Sequence, residues 1–396
     1  MKNPYANLSP VVWLLAVISL INKSGAMVVL FFPIYLTQQL GFDIILTGEV
    51  LSIYGMGYVI GAYLGGTLTD KIGFLTVQIC SLFFTGVLYL VLEHLRVPAT
   101  IITTMFTIGV VSACLRPATG ATISKFAAAD TRAQAYSLNY QAINLGSALG
   151  PAIGGALATL DYAWLFRVDG AVNLIAALAM WLFFRNRHDE EVPRDEIPEL
   201  QIATSWWRNL PFVAFLMLTF LIGLIFLLLL NLYPLFLKDN YTLSNLQIGM
   251  VLGFNGLIII LLQMHLSIWL KNFNLLHIIA TGGLLLGIGY AILPLYSGFY
   301  FAFLSITIIT LGEMTTLPQL NYFLVKIAPR DLQGKYFGLM NSAYAVPLVL
   351  APSLGAYVYT HYGANTLWYG VGLLSLVLFT GFECLRLAYR NIDLRA

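Results

Sequence analysis

Charge is scarce in this chain. Asp, Glu, Lys and Arg make up only 10% of its 396 residues, where a soluble domain carries roughly 25%. Charges this few cannot cover a globular surface, so lipid must be the solvent for most of the chain. Cysteine is scarce too. Cys80, Cys114 and Cys384 lie in apolar runs without the spacing of a metal site or a disulfide framework, and they read as packing residues. There is no Gly-rich phosphate loop, no nucleophile elbow and no cluster of metal ligands, so the sequence offers no enzyme chemistry. Nor is there a stretch long enough to be a nucleotide-binding domain. An ATP-driven pump is thereby excluded, and any work must draw on a gradient. The stretch from Met1 to Pro10 runs into an apolar span that continues into a second one, which reads as an uncleaved helix and not a cleavable signal.

What the chain does have is apolar length. Hydrophobic residues are 59% of it and the mean hydropathy is +0.82. A crossing of the hydrocarbon needs about 20 apolar residues. Twelve such spans can be placed: 10–38, 46–69, 74–93, 98–126, 132–160 and 164–185, then 209–237, 244–270, 274–296, 300–327, 333–361 and 365–386. Several exceed the minimum, which permits tilt and kinks at internal Gly and Pro. The prediction is an all-α integral membrane protein.

The two sets of six repeat each other at a constant offset of 201 residues, as in 234 − 33. Pro33 falls on Pro234, Gly48 on Gly249, Gly86 and Tyr89 on Gly287 and Tyr290, Pro117 on Pro318, Pro151 on Pro352, Arg185 on Arg386. Gly and Pro set backbone geometry that other residues tolerate poorly, so their coincidence argues for two copies of one helical plan. The expected domains are an N-terminal six-helix bundle over 1–188, a cytoplasmic linker over 189–208 and a C-terminal six-helix bundle over 209–396, the bundles related by a pseudo-two-fold. The linker is the one long charged, Pro-containing stretch. Parallel repeats across a membrane are a transporter architecture, with the substrate path at the repeat interface.

Orientation follows from the basic residues. With both termini in the cytoplasm, 15 of the 20 Lys and Arg, among them Lys71, Lys125, Arg132, Arg185, Lys271 and Arg386, fall on that side. Arg96, Arg167 and Lys238 fall outside, and Lys23 and Arg116 fall within spans. A bacterial inner membrane is the expected location.

Two motifs stand out. Between spans 2 and 3 runs Gly66-Thr-Leu-Thr-Asp70-Lys71-Ile-Gly73-Phe-Leu, a tight turn in which glycines permit close approach and a carboxylate can face amide ends or a basic partner. It resembles the G-x-x-x-D-[RK]-x-G-R-[RK] signature of the major facilitator superfamily. Phe74 and Leu75 stand where that pattern has two basic residues, so part of the charge network implied by the resemblance is expected to be missing. In span 5, Gly146-Ser-Ala-Leu-Gly150-Pro151-Ala-Ile-Gly154-Gly155 provides small residues for close helix packing and a proline bend. It resembles the antiporter signature G-x(8)-G-x(3)-G-P-x(2)-G-G of the same superfamily, with Ser137 in place of the first Gly. The resemblance implies the major facilitator fold and a span 5 that packs against the second bundle. One mark of drug:proton antiporters is absent: the position twelve residues before Pro117 is Met105, not Arg.

Charge inside a membrane is costly and points to function. Glu313, in the middle of span 10, is read as the one carboxylate that deep, and as either a proton carrier or a static polar contact. Lys23 in span 1 is a partner for Glu313, a site for an anionic substrate or a structural residue. Arg116 in span 4 either contacts substrate or snorkels to the interface. Asp43, Glu49 and Asp169 read as interfacial charges, with an outer gate as the other role. Polar candidates along a central path are Tyr35, Asn139, Asn144, Asn231, Gln319 and Asn341.

The resemblance therefore implies a secondary active transporter: a proton-coupled antiporter exporting a small hydrophobic or amphiphilic compound by alternating access, as in multidrug efflux. Transport of a small anionic, siderophore-like metabolite stays open, as does a membrane sensor that keeps a transporter fold. The expected partners are a small-molecule substrate, protons and the lipid bilayer, with no nucleic acid, no metal and no cofactor beyond the proton gradient. The expected state is a monomer.

Overall fold

The computed structural model describes residues 8–127, 131–185, 209–328 and 333–390. The expected linker, 189–208, lies outside the described residues. Among those described, the structure is helical, with no strand. Twelve helical segments are long and apolar enough to cross a membrane, and they fall where the apolar runs of the sequence place them.

Two of the twelve spans are broken. The first consists of α1 (Pro10–Ser24), α2 (Val28–Ile34) and a π-helical turn over Tyr35–Gln39. The fourth consists of α5 (Pro98–Ala113) and α6 (Leu115–Phe126). The second break has a simple cause. Pro117 has no N–H and its ring collides with the carbonyl four residues earlier, that of Ala113, where α5 stops. The remaining spans of the first copy are α3 (Ile44–Ile72), α4 (Phe74–Leu92), α7 (Arg132–Leu160) and α8 (Ala163–Phe184). Those of the second are α9 (Leu210–Asp239), α10 (Asn245–Leu270), α11 (Leu275–Ala291), α12 (Phe299–Ile327), α13 (Gln333–Tyr362) and α14 (Ala364–Ala388).

The chain divides into two compact units. One is Met1–Asp195 with Ser244–Gly256, and the other is Glu196–Leu243 with Leu257–Ala396. The first turns of α10 thus belong with the first unit.

In the first unit α1 packs on α7, α3 on α5 and α4 on α8. The α3–α5 contact is close enough that backbone meets backbone. A Cβ placed on Gly61 would collide with the Val110 carbonyl oxygen, and one on Gly109 with that of Tyr54. Gln78 of α4 ties down the broken fourth span, donating to the Ala118 carbonyl at 2.8 Å and to the Thr122 hydroxyl. In the second unit α11 packs on both α12 and α14, and α9 on α13. Its core is aromatic. The Tyr290 and Trp368 rings stack at 5.3 Å with planes 6° apart, and Phe236 meets Trp368 edge-on at 5.5 Å.

Candidate transport site

The break in the first span is held by a carboxylate from α8. A continuous helix would give the amides of Met27 and Val28 carbonyl partners one turn back. Here both donate instead to Oδ2 of Asp169, at 3.0 and 2.8 Å. Asp169 is completely buried, and its other oxygen, Oδ1, has no hydrogen-bond partner. Asn173, one turn along α8, donates to the Asp169 carbonyl at 2.8 Å and accepts from Asn22 of α1 at 2.9 Å. Gly25 makes the approach possible, since a Cβ there would lie 2.8 Å from Val172 Cγ1.

This corrects one expectation. Asp169, read as an interfacial charge, is buried against the break of the first span, while Glu313, in the middle of its own span, is half-buried. The reason is helical geometry. Residues two apart on a helix point in different directions. Arg167 leaves Asp169 and turns to Glu93, the residue just after α4, with Nη2 2.6 Å and Nε 2.9 Å from Oε1. The pattern Asp169-Gly170-x-x-Asn173, a polar pair at i and i+4 in an apolar helix, is the signal that marks the buried face. Asp43 is structural: its side chain accepts from the Leu46 amide at 2.7 Å and caps α3. Glu49 is exposed.

The glycines of α7 line the same break. Placed Cβ atoms on Gly146 and Gly154 would lie 2.7 Å from Lys23 Cβ and 2.9 Å from Met27 Cβ. On Gly150, one would lie 3.1 Å from the Lys23 carbonyl. These three residues therefore face the first span of their own bundle. Pro151 and Gly155 meet α10 instead: a Cβ on Gly155 would lie 2.5 Å from the Asn245 carbonyl, and one on Gly249 would collide with that of Pro151. The expectation that the whole motif packs on the second bundle holds for neither Gly146, Gly150 nor Gly154. Glycines four apart share one helix face, and Gly155 is on the next.

Around the break, Lys23 is exposed at the end of α1. Asn139 of α7 is half-buried and accepts from the Ser19 hydroxyl at 2.6 Å, while Asn144 is half-buried on the same helix. Lys23 and Asn139 are thus brought together at the α1–α7 pair. Arg116 is exposed on α6 and stands apart from them. Tyr35 does not behave as a polar lining residue. It is buried among Phe32, Tyr162 and Phe166, with ring centroids at 5.9, 5.9 and 5.0 Å, and its hydroxyl accepts from Arg96 at 3.2 Å.

In the second unit, Glu313 sits on α12, where Gly312 brings the backbone against α11: a Cβ there would lie 2.6 Å from the Leu286 amide. Gln319 is buried on the same helix. Asn231 is buried on α9 and donates to the Leu227 carbonyl of its own helix at 3.0 Å. Asn341 is exposed on α13.

The turn motif ends α3. Gly73 adopts φ +86°, a conformation open to glycine, between α3 and α4. Asp70 and Lys71 are exposed, and Gly66 has open space around it. Where Phe74 replaces a basic residue of the signature, the Lys125 ammonium lies 4.9 Å from its ring centroid, a cation–π contact.

A sequence model of the Major Facilitator Superfamily matches residues 12–352 and again 215–391. The chain is 23% identical to a Na(+), Li(+), K(+)/H(+) antiporter of Planococcus maritimus, over 90% of this chain and 89% of that one. It is 26% identical to the class E tetracycline resistance protein of Escherichia coli, over 79% of this chain and 78% of that one. Among solved structures it resembles the peptide transporter POT in complex with sulfate, with a TM-score of 0.80 and 17% identity over 97% of this chain and 95% of that one.

Proposed function

This chain belongs to the Major Facilitator Superfamily, and from that premise we propose that it is a proton-coupled antiporter that exports a small hydrophobic or amphiphilic compound by alternating access. The observation that carries the reading is Glu313, an ionisable group in the middle of a twenty-nine-residue apolar helix. A charge at such a depth costs about 2.5–3.5 kcal/mol on insertion scales. A carboxylate avoids that cost by taking up a proton, and so becomes able to carry one. The relatives support the direction: one is named as a cation/proton antiporter and another as a drug-resistance protein.

In this reading Glu313 carries the proton and Lys23 is the first basic partner to test. The candidates for substrate contact are Asn139 and Asn144 in the first unit and Asn231, Gln319 and Asn341 in the second. The functional domains are 1–188 and 209–396 joined by a linker over 189–208, both termini are cytoplasmic, the protein acts as a monomer, and the membrane is a bacterial inner membrane. A second reading, transport of a small anionic metabolite, is favoured by the exposed cations Lys23 and Arg116 within spans.

The test is transport in liposomes under an imposed pH gradient, with tetracycline, Na+ and K+ as probes and binding measured in the same preparation. Glu313→Gln mimics the protonated state and cannot release a proton. It is expected to abolish accumulation against a gradient while leaving binding within about threefold of wild type. Coupled transport at the wild-type rate by this variant would route the proton elsewhere. A wild type that moves none of the probes under the gradient would sink the export reading and favour a sensor.

A further inference from the structure

We infer that Asp169 is a second proton-binding site, seated in the first unit and built into the break of its first helix. The inference goes beyond the transport reading and does not depend on Glu313. It rests on the unequal surroundings of two oxygens of one buried carboxyl group. Oδ2 accepts from the amides of Met27 and Val28. Oδ1 is as buried and accepts from nothing.

The charged groups around it do not balance a permanent negative charge. From α4 the phenol of Tyr89 lies within electrostatic reach and is buried. Arg167, on the same helix as Asp169, is engaged with Glu93, just after α4. Lys23 is exposed at the end of α1, with its Cβ against Gly146 of α7. Asp169 forms no salt bridge among the described residues. An ionised carboxylate in an apolar interior needs a cation or hydrogen bonds to both oxygens, and here one oxygen has neither.

A proton on Oδ1 resolves the imbalance. The group becomes neutral, and Oδ2 keeps both amide hydrogen bonds as a carbonyl oxygen. Release breaks the Oδ1–H bond, leaves its electron pair on the carboxylate and delivers H⁺ to water. Water reaches Oδ1 only if the break opens. Gly25 to Met27 lie between α1 and α2 and outside both, which makes that opening local. Protonation therefore holds the break closed, and release accompanies its opening.

The experiment reads protonation itself. Infrared difference spectra of the full chain in nanodiscs, titrated with pH, are compared for wild type, Glu313→Gln, Asp169→Asn and Asp169→Glu. A carboxylic-acid carbonyl band that titrates in wild type and in Glu313→Gln, and is lost in Asp169→Asn, is the expected result. Asn keeps an oxygen for the two amides, and a thermal melt checks its fold. Should Asp169→Asn fail to fold, Asp169→Glu decides: the band's midpoint should move. A titrating band unaffected by either substitution overturns the proposal. So does a band assigned to Asp169 that does not change with pH. Loss of transport in Glu313→Gln with the Asp169 band intact leaves this proposal standing, which separates it from the transport reading.

Discussion

The first helix of each copy began as one sequence plan, and they now do different things. The first span breaks at Gly25, where Asn22, Asn173 and Asp169 gather. Its counterpart α9 runs unbroken from Leu210 to Asp239. At an offset of 201 the polar residues are gone: Asn22 becomes Gly223, Gly25 becomes Phe226, Asp169 becomes Gly370 and Asn173 becomes Leu374. Without a carboxylate to take two free amides, a helix has no reason to open. The ends of α8 and α14 diverge in the same way. Arg167, paired with Glu93, is matched by Trp368, stacked on Tyr290. The first copy spends polar groups on a joint, and the second fills the matching places with apolar volume.

The comparison is easiest to break at Trp368. Its side chain is fully buried between Tyr290 and Phe236, so Trp368→Ala removes the largest ring of the second unit's core. A loss of about 3–5 kcal/mol is expected, read as unfolding free energy in mixed micelles. A loss below about 1 kcal/mol would mean that the second copy is not held by this stack.

The α3–α5 seam comes next. Gly61→Ala forces a methyl against the Val110 carbonyl and should cost about 1–3 kcal/mol by overpacking. Gly66→Ala, five residues on and with open space around it, should fold like wild type and serve as the control. The second copy carries Ile258, Leu262 and Thr310 where the first has Gly57, Gly61 and Gly109, so a tight seam at these positions is a property of the first copy. Equal losses in both variants would show that the backbone there can shift.

Much of the helical plan was legible in the sequence because a membrane span is specified by composition over a long window. No single residue has to be read correctly. Glu313 was legible for a similar reason, as a carboxylate far from either end of an apolar run. Asp169 was not. It lies near the end of a span and two residues from Arg167, and that position reads as an interfacial charge. The arginine instead crosses to Glu93, which is distant in sequence and adjacent only once α4 packs on α8. The break at Gly25 was hidden for the same reason, since no proline sits at it and its cause is a carboxylate on another helix. The fourth span carries its own breaker, Pro117, and so its break was foreseeable as a kink.

Asn173→Leu, which installs the residue of the second copy, gives the smallest effect and the sharpest comparison. It removes the hydrogen bond from Asn22 and the one to the Asp169 carbonyl. Side-chain hydrogen bonds between helices in membranes average about 0.6 kcal/mol and reach about 1.7. Leu is close to Asn in size and restores apolar contact, which offsets part of the loss. A net cost of about 1 kcal/mol or less is therefore expected in the micelle titration. The amides of Met27 and Val28 keep Asp169, so the break should persist, and hydrogen exchange at residues 25–28 should stay within about tenfold of wild type. If exchange there instead slows because the first span closes into a continuous helix like α9, then Asn173 holds the joint open and the carboxylate alone does not suffice. If the cost rivals that of Trp368→Ala, the polar cluster is the core of the first unit, and the contrast between a jointed copy and a filled copy fails.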